Sequence, residues 1–86
     1  MTLKKNIKIY TTDDCGYCKK AKILLNLYNI DYEELVIKNE KERNNMANLS
    51  AGKRTVPQIF INDLNIGGYD EIYSLHKNGD LKKLLT

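Results

Sequence analysis

Thr11-Thr12-Asp13-Asp14-Cys15-Gly16-Tyr17-Cys18 is the stretch on which the reading of this chain turns. It holds the only two cysteines of the 86 residues, separated by two positions. Upstream, Lys5-Asn6-Ile7-Lys8-Ile9-Tyr10 alternates polar and apolar residues with the period of a strand. Downstream, Ala21, Leu24, Leu25 and Tyr28 recur at i, i+3, i+4 and i+7, while Lys19, Lys22 and Asn26 take other faces. That spacing predicts an amphipathic helix of about 14 residues, closed at Asn29. Thr11 to Asp14 supply capping oxygens for it. A helix opening at the first cysteine aims unpaired N–H groups and the positive end of its dipole at that sulfur, which stabilises a thiolate. Read alone, the pair points to thiol–disulfide exchange or to metal binding.

The remaining elements follow in order. Tyr32 to Ile37 form a second strand around Leu35-Val36-Ile37. Asn39 with Glu42 three residues on marks the N-terminus of a second helix running to about Ser50, with Gly52 as its stop. The apolar residues of this helix are few (Met46, Ala47, Leu49), so it lies on the surface with a narrow buried face. Gln58 to Ile61 and Leu64 to Ile66 form a hairpin across Asn62-Asp63. Tyr69-Asp70 opens a third helix ending at Gly79, and Asp80 to Leu85 make a short terminal helix packing Leu81, Leu84 and Leu85. The order β-α-β-α-β-β-α begins with a right-handed βαβ unit and ends in an antiparallel hairpin. It predicts one α/β domain spanning 1–86, with a four-stranded mixed sheet and helices on both faces.

Composition bounds the function. With 42% hydrophobic and 29% charged residues, the chain is an ordinary globular sequence. There is no apolar run approaching the ~20 residues that span a bilayer, and the first residues lead into the first strand with no signal-peptide pattern. The expectation is a cytoplasmic protein with no membrane partner, where paired cysteines are usually catalytic or metal-binding. A net charge of +3 is mild, and the basic residues are scattered. The six tyrosines belong to no nucleic-acid-binding module, so nucleic acid is not an expected partner.

Structural zinc takes four ligands. This chain offers two cysteines and one histidine, His76, which sits far away on a helix and reads as a half-buried helix residue. An inert disulfide across two residues closes too short a loop to stabilise much. A C-x-x-C beside a βαβ pattern instead reads as a thioredoxin-like redox motif. Two further motifs stand later in the chain. Arg54-Thr55-Val56-Pro57-Gln58-Ile59-Phe60 carries the one proline directly before a strand, and Gly67-Gly68-Tyr69-Asp70 precedes a helix.

Taken together, Cys-Gly-Tyr-Cys, Thr-Val-Pro and Gly-Gly-Tyr-Asp, in this order on these elements, resemble a glutaredoxin of the dithiol type over nearly the whole chain. The resemblance implies the thioredoxin-like fold and a glutathione-dependent reduction of protein disulfides and glutathionylated proteins, with ribonucleotide reductase as one client class. It makes Cys15 the attacking thiol and Cys18 the resolving thiol, with no metal in the catalytic pair. Tyr17 matches the aromatic beside the glutathione sulfur. Thr55 and Val56-Pro57, the latter implied to be a cis bond, match the segment that pairs with the cysteinyl unit of glutathione. Gly68, Tyr69 and Asp70 match the positions that hold the γ-glutamyl group. The glycyl carboxylate needs a cation, for which Lys53, Arg54 and Arg43 are candidates. A monomer that uses glutathione as co-substrate is implied.

Two positions depart from the family pattern. Gly16 stands where many dithiol members have proline, and small residues there accompany some members that hold a [2Fe-2S] cluster between two protomers. A glutathione-ligated cluster dimer is therefore the second function the resemblance implies. Thr12 stands where a basic residue is frequent, which leaves the Lys19–Lys22 cluster and the helix dipole to activate Cys15. A thioredoxin-like donor reduced directly by a flavoprotein reductase is a third reading, and the Gly68-Tyr69-Asp70 segment argues against it.

Overall fold

A computed structural model describes residues 6–85 and arranges them in eight elements. These are β1 (Ile7–Thr11), α1 (Gly16–Asn26), β2 (Glu33–Val36), α2 (Glu40–Leu49), β3 (Gln58–Ile61), β4 (Leu64–Gly67), α3 (Tyr69–Asn78) and α4 (Asp80–Leu85). Of the strand expected over 5–10, Lys5 lies outside the described residues, and the strand runs one residue further, through Thr11. The sheet order is β2-β1-β3-β4. β1 and β2 are parallel, with Ile9 opposite Glu34, as a βαβ unit requires. β1 and β3 are antiparallel, with Ile7 opposite Ile61 and Tyr10 opposite Gln58.

Alternation along the strands decides which face is buried by what. Ile7 and Ile9 of β1, with Ile59 and Ile61 of β3, face α1, α3 and α4, where Ala21, Leu24, Leu25, Ile72, Leu81 and Leu85 complete one core. The intervening Tyr10 and Phe60 point to the opposite face, where their rings meet edge-on at 5.5 Å. Tyr10 shares a shallow depression there with Glu42 and Asn45 of α2, so the sheet carries helices on both faces. The four-stranded mixed sheet expected from the element order is the one observed, in the α/β thioredoxin-like arrangement that the resemblance implied.

Several local expectations are corrected. Helix α1 spans 11 residues, fewer than the heptad-like spacing implied, because the chain turns at Leu27 and Asn29 enters left-handed backbone (φ 54°). Tyr28 still packs on the core, from the turn and not from the helix. Leu49 was expected to join the narrow buried face of α2. It is exposed, and Met46 and Ala47 alone are buried. Ile37 lies just past β2, yet its N–H continues the ladder by donating to Thr11 O at 2.8 Å. The Asn39 cap is as expected: its Oδ1 accepts from Glu42 N at 2.9 Å, and Glu42 Oε1 in return accepts from Lys38 N at 2.6 Å.

The hairpin turn Asn62-Asp63 has both residues at positive φ (52° and 67°), the twist that joins antiparallel strands over two residues. Asn62 also ties the turn to the start of β1. Its Oδ1 accepts from Asn6 N at 2.8 Å, and its own N–H donates to Asn6 O at 2.7 Å. At the other end of the same strand pair the chain leaves β1 for the cysteines and enters β3 from Pro57. Both motifs therefore sit on one rim of the sheet. Among the described residues no helix is long and apolar enough to cross a membrane.

Candidate active site

Cys15 is its own helix cap. Its backbone is extended (φ −126°, ψ 110°), and its sulfur accepts the N–H of Cys18 at 3.1 Å. Thr11, expected among the capping residues, is instead the last strand residue and is 1% exposed. Its hydroxyl donates to Glu34 Oε2 at 2.7 Å, and the cysteine performs the role that a serine or aspartate plays at other helix starts. A sulfur held against the first helical amides faces their partial positive charge.

The two thiols are in different surroundings. Cys15 is partly exposed, whereas Cys18 is 2% exposed. Burial, and after it the hydrogen bond with Cys15, pushes the Cys18 thiol up to about 12. The basic cluster Lys19–Lys22, expected to act on Cys15, is otherwise engaged in part. Lys22 Nζ pairs with Glu34 Oε2 at 3.0 Å, and Lys20 Nζ lies 5.4 Å from the Tyr17 ring centroid.

Beside the thiols lies a groove of about 400 Å³, within the range of small-molecule clefts (~300–1,000 Å³). One wall is the segment before β3. The Val56–Pro57 bond is cis, and the Val56 carbonyl stands 3.9 Å from Cys15 Sγ. Thr55 continues that wall, and its Oγ1 accepts from Gln58 Nε2 at 3.2 Å. The facing wall is the start of α3, formed by Gly68, Tyr69 and Asp70, with Tyr17 lying across the end nearest the cysteines. Tyr17 and Tyr69 rings are 6.0 Å apart. The N-terminus of α3 has Gly68 as N-cap with no side-chain cap bond, so its first amides face the groove without an intrahelical acceptor. A Cβ at Gly68 would lie 3.2 Å from Pro57 O, close enough that a side chain there would press the two walls apart by a few tenths of an ångström.

All seven residues expected to hold a ligand therefore line one groove adjacent to Cys15. The glutaredoxin family pattern matches residues 7–66. The chain belongs to the glutaredoxin family. Among its relatives, glutaredoxin 1 of Rickettsia prowazekii (strain Madrid E) is 47% identical over 81 residues, covering 92% of this chain and 85% of that protein. Glutaredoxin 3 of Escherichia coli (strain K12) is 44% identical over 81 residues, covering 93% and 96%. Of solved structures, the holo form of glutaredoxin C1 from Populus tremula x tremuloides superposes with a TM-score of 0.84 at 28% identity, covering 92% of this chain and 81% of that one. The buckwheat glutaredoxin–glutathione complex superposes with a TM-score of 0.83 at 27% identity, covering 94% and 76%.

Within this glutaredoxin groove the three candidate cations separate. Lys53 lines it. Arg54 is turned away, its guanidinium engaged with Glu40 and with Asn44 Oδ1, and Arg43 Nη1 donates to the Arg54 carbonyl. Two lining residues escaped the sequence reading, Gln58 and Glu71. Gln58 is 1% exposed and held on both sides, donating to Thr55 and accepting from Asn65 Nδ2 at 3.1 Å. Its signal was a lone polar residue opening the otherwise apolar run Gln58-Ile59-Phe60-Ile61. Glu71, one helical turn from Gly68, had no comparable mark.

Proposed function

We propose that the protein is a glutathione-dependent thiol–disulfide oxidoreductase that acts on glutathionylated and disulfide-bonded proteins, one domain and one protomer carrying the whole reaction. The observation that carries this reading is the convergence on one groove of an accessible helix-capping thiol, the Val56 carbonyl, the uncapped α3 N-terminus and Lys53. Glutathione has matching chemistry at each point. Its γ-glutamyl carboxylate suits the α3 amides, and its ammonium suits the Asp70 carboxylate. Its cysteinyl backbone pairs with Val56 as a short β-rung, and its glycyl carboxylate suits Lys53. The buckwheat neighbour is a glutaredoxin–glutathione complex, which supports the same ligand class here.

The Cys15 thiolate attacks the glutathione sulfur of a mixed disulfide. The protein–glutathione S–S bond breaks, the protein thiolate leaves and takes a proton, and Cys15 carries the glutathione. A second glutathione thiolate then attacks that bound sulfur, releasing oxidised glutathione and restoring the Cys15 thiolate. For protein disulfides, the Cys15 thiolate attacks one client sulfur and expels the other as a thiolate that takes a proton. Cys18 then loses its proton and attacks the Cys15 sulfur of that mixed disulfide, breaking the Cys15–client bond and releasing the second client thiol. Two glutathiones then reduce the resulting Cys15–Cys18 bond. Reduction of a protein disulfide moves two electrons from two glutathiones to the client, whereas deglutathionylation consumes one free glutathione, the other half of the oxidised glutathione coming from the mixed disulfide. The charge on Cys15 is among the causes that hold Cys18 protonated.

The [2Fe-2S] alternative takes four thiolate ligands. This chain offers one accessible sulfur, and among the described residues no three metal-ligating side chains cluster. A dimer would reach four only with two Cys15 thiolates and two glutathione thiolates, so Cys15 is the one residue of this chain that would hold the cluster.

The deciding experiment is glutathione-coupled reduction of a glutathionylated substrate by wild type, Cys15→Ser and Cys18→Ser. Wild type and Cys18→Ser are expected to turn over, with Cys18→Ser losing reduction of protein disulfides, and Cys15→Ser is expected to be inactive. Full activity in Cys15→Ser would overturn the mechanism.

A further inference from the structure

A second depression of about 320 Å³ runs between α1 and α3, outside the groove described above. Leu24 is its floor. One wall is a stripe of α1 in which Lys20, Ile23 and Leu27 follow at i, i+3 and i+7. Ile23 and Leu27 are 62% and 67% exposed, an aliphatic pair left in water on a helix whose other aliphatic residues, Ala21, Leu24 and Leu25, are in the core. The opposite wall is Tyr69, Tyr73 and His76 of α3, with the two tyrosine rings stacked at 5.7 Å. Single exposed apolar residues are ordinary, but a lined apolar trough with an aromatic wall marks a contact surface.

Its charge has one sign. Helix α1 carries Lys19, Lys20 and Lys22 and no carboxylate. Lys20 is at the mouth of the trough, and Lys77 Nζ lies 5.8 Å from the Tyr73 ring centroid. Among the described residues no carboxylate lines the trough, and Asp70 and Glu71 of α3 border the other groove instead. The trough is also continuous with the thiol site, because Tyr69 belongs to both depressions and its ring neighbours Tyr17 at 6.0 Å.

We propose that this α1–α3 trough docks the polypeptide that bears the reacting disulfide, selecting a bulky apolar side chain flanked by carboxylates. The proposal rests on the thiol–disulfide function given above. The occupant is a separate acidic polypeptide and not a second copy of this chain. A two-fold contact over this face would bring one lysine-bearing surface against another, and like charges brought together oppose association. Continuity with Cys15 gives the surface its use. A client held in the trough presents its sulfur at the thiol while glutathione contacts remain in the neighbouring groove, so clients are chosen without altering the chemistry.

The test uses the full chain and three substrates. The first is glutathionylated cysteine, which is too small to reach the trough. The other two are synthetic peptides with a glutathionylated cysteine joined by a Gly–Ser spacer to a Glu-Leu-Phe-Glu or a Lys-Leu-Phe-Lys tract. The variants are Ile23→Ser with Leu27→Ser, and Lys77→Glu. All three positions are exposed, so folding is expected to persist, and an unchanged thermal midpoint checks it. Wild type should prefer the acidic over the basic peptide by about tenfold in kcat/KM, and the double variant should lose most of that preference through KM. Lys77→Glu should narrow the preference, and all variants should handle glutathionylated cysteine within about twofold of wild type. Equal rates on the two peptides in wild type would overturn the docking proposal, as would a double variant that keeps the preference. A dimer of the wild type that the double variant dissolves would overturn it in favour of self-association. Failure of wild type on glutathionylated cysteine would instead sink the underlying function.

Discussion

The backbone N–H of Cys18 donates to the sulfur of Cys15 at 3.1 Å, so the second cysteine helps hold the first in place while being buried by the same helical turn. One local geometry thus separates an accessible sulfur from a shielded one. The consequences can be measured before any client is known.

Alkylation of the reduced protein by iodoacetamide near neutral pH should label Cys15 alone. Cys18 is 2% exposed and its thiol is pushed up to about 12, so neither access nor thiolate fraction favours it. Peptide mass spectrometry reads the result, and labelling of Cys18 ahead of Cys15 would contradict the assignment.

The same burial makes stability depend on pH at the alkaline end. The folded-state value of Cys18 is raised, from 9.0 to about 12, so its contribution is fully present below pH 9 and is lost as pH climbs towards 12. The unfolding free energy of the reduced protein, read from urea titrations, should fall between those limits by on the order of 1–3 kcal/mol. Cys18→Ala should show a shallower decline.

Gly16→Pro should stabilise the fold. Gly16 is the first residue of α1, a Cβ there meets nothing within 4 Å, and Cys15 before it already has the extended backbone that precedes proline. The expected gain is about 0.4–1 kcal/mol from the less flexible unfolded chain, or a few degrees in thermal midpoint at ~4–8 °C per kcal/mol. A fall in midpoint would mean that the first turn needs freedom the geometry does not reveal.

Lys53→Gln should raise KM for glutathione by about three- to tenfold with a smaller effect on kcat, as expected for loss of one charge-assisted contact. Arg54→Gln should leave KM near wild type, because Arg54 is held by Glu40 and Asn44 away from the groove. Steady-state kinetics at varied glutathione distinguishes them, and the reverse ranking would reassign the carboxylate anchor.

Glu34→Gln should cost about 0.5–1 kcal/mol near neutral pH, a modest figure for a partly exposed carboxylate. The Thr11 hydroxyl, and after it Lys22, hold Glu34 below the ordinary carboxylate range. Its contribution is therefore present above that range and lost as pH falls through the lowered value. Thermal midpoints of the two proteins should converge in acid.

Much of this was legible because the motifs are local. The strand periods, the Asn39 cap, the Asn62-Asp63 turn and the order of elements are written in neighbouring residues, and the structure keeps them. What the sequence could not carry was set by contacts between distant segments. Thr11 looked like a cap, but Glu34 of the adjacent strand takes its hydroxyl. Lys22 looked available to Cys15 until the same Glu34 paired with it. Three cations were equivalent in the sequence, and only packing of Arg54 against α2 singled out Lys53.

The Asn6–Asn62 clasp lies at the end of the sheet away from the thiols, yet it is the gauge against which the active site is measured. From that clasp β1 counts forward to Cys15 and β3 counts backward to Val56, with Tyr10 opposite Gln58 as the last rung. Removing one residue from either strand would displace its end by about 3.3 Å and turn alternate side chains to the wrong face. Sulfur and carbonyl would then miss each other with every residue of the groove still present. Strand length in this protein thus sets the proposed site as firmly as the identity of the cysteines does.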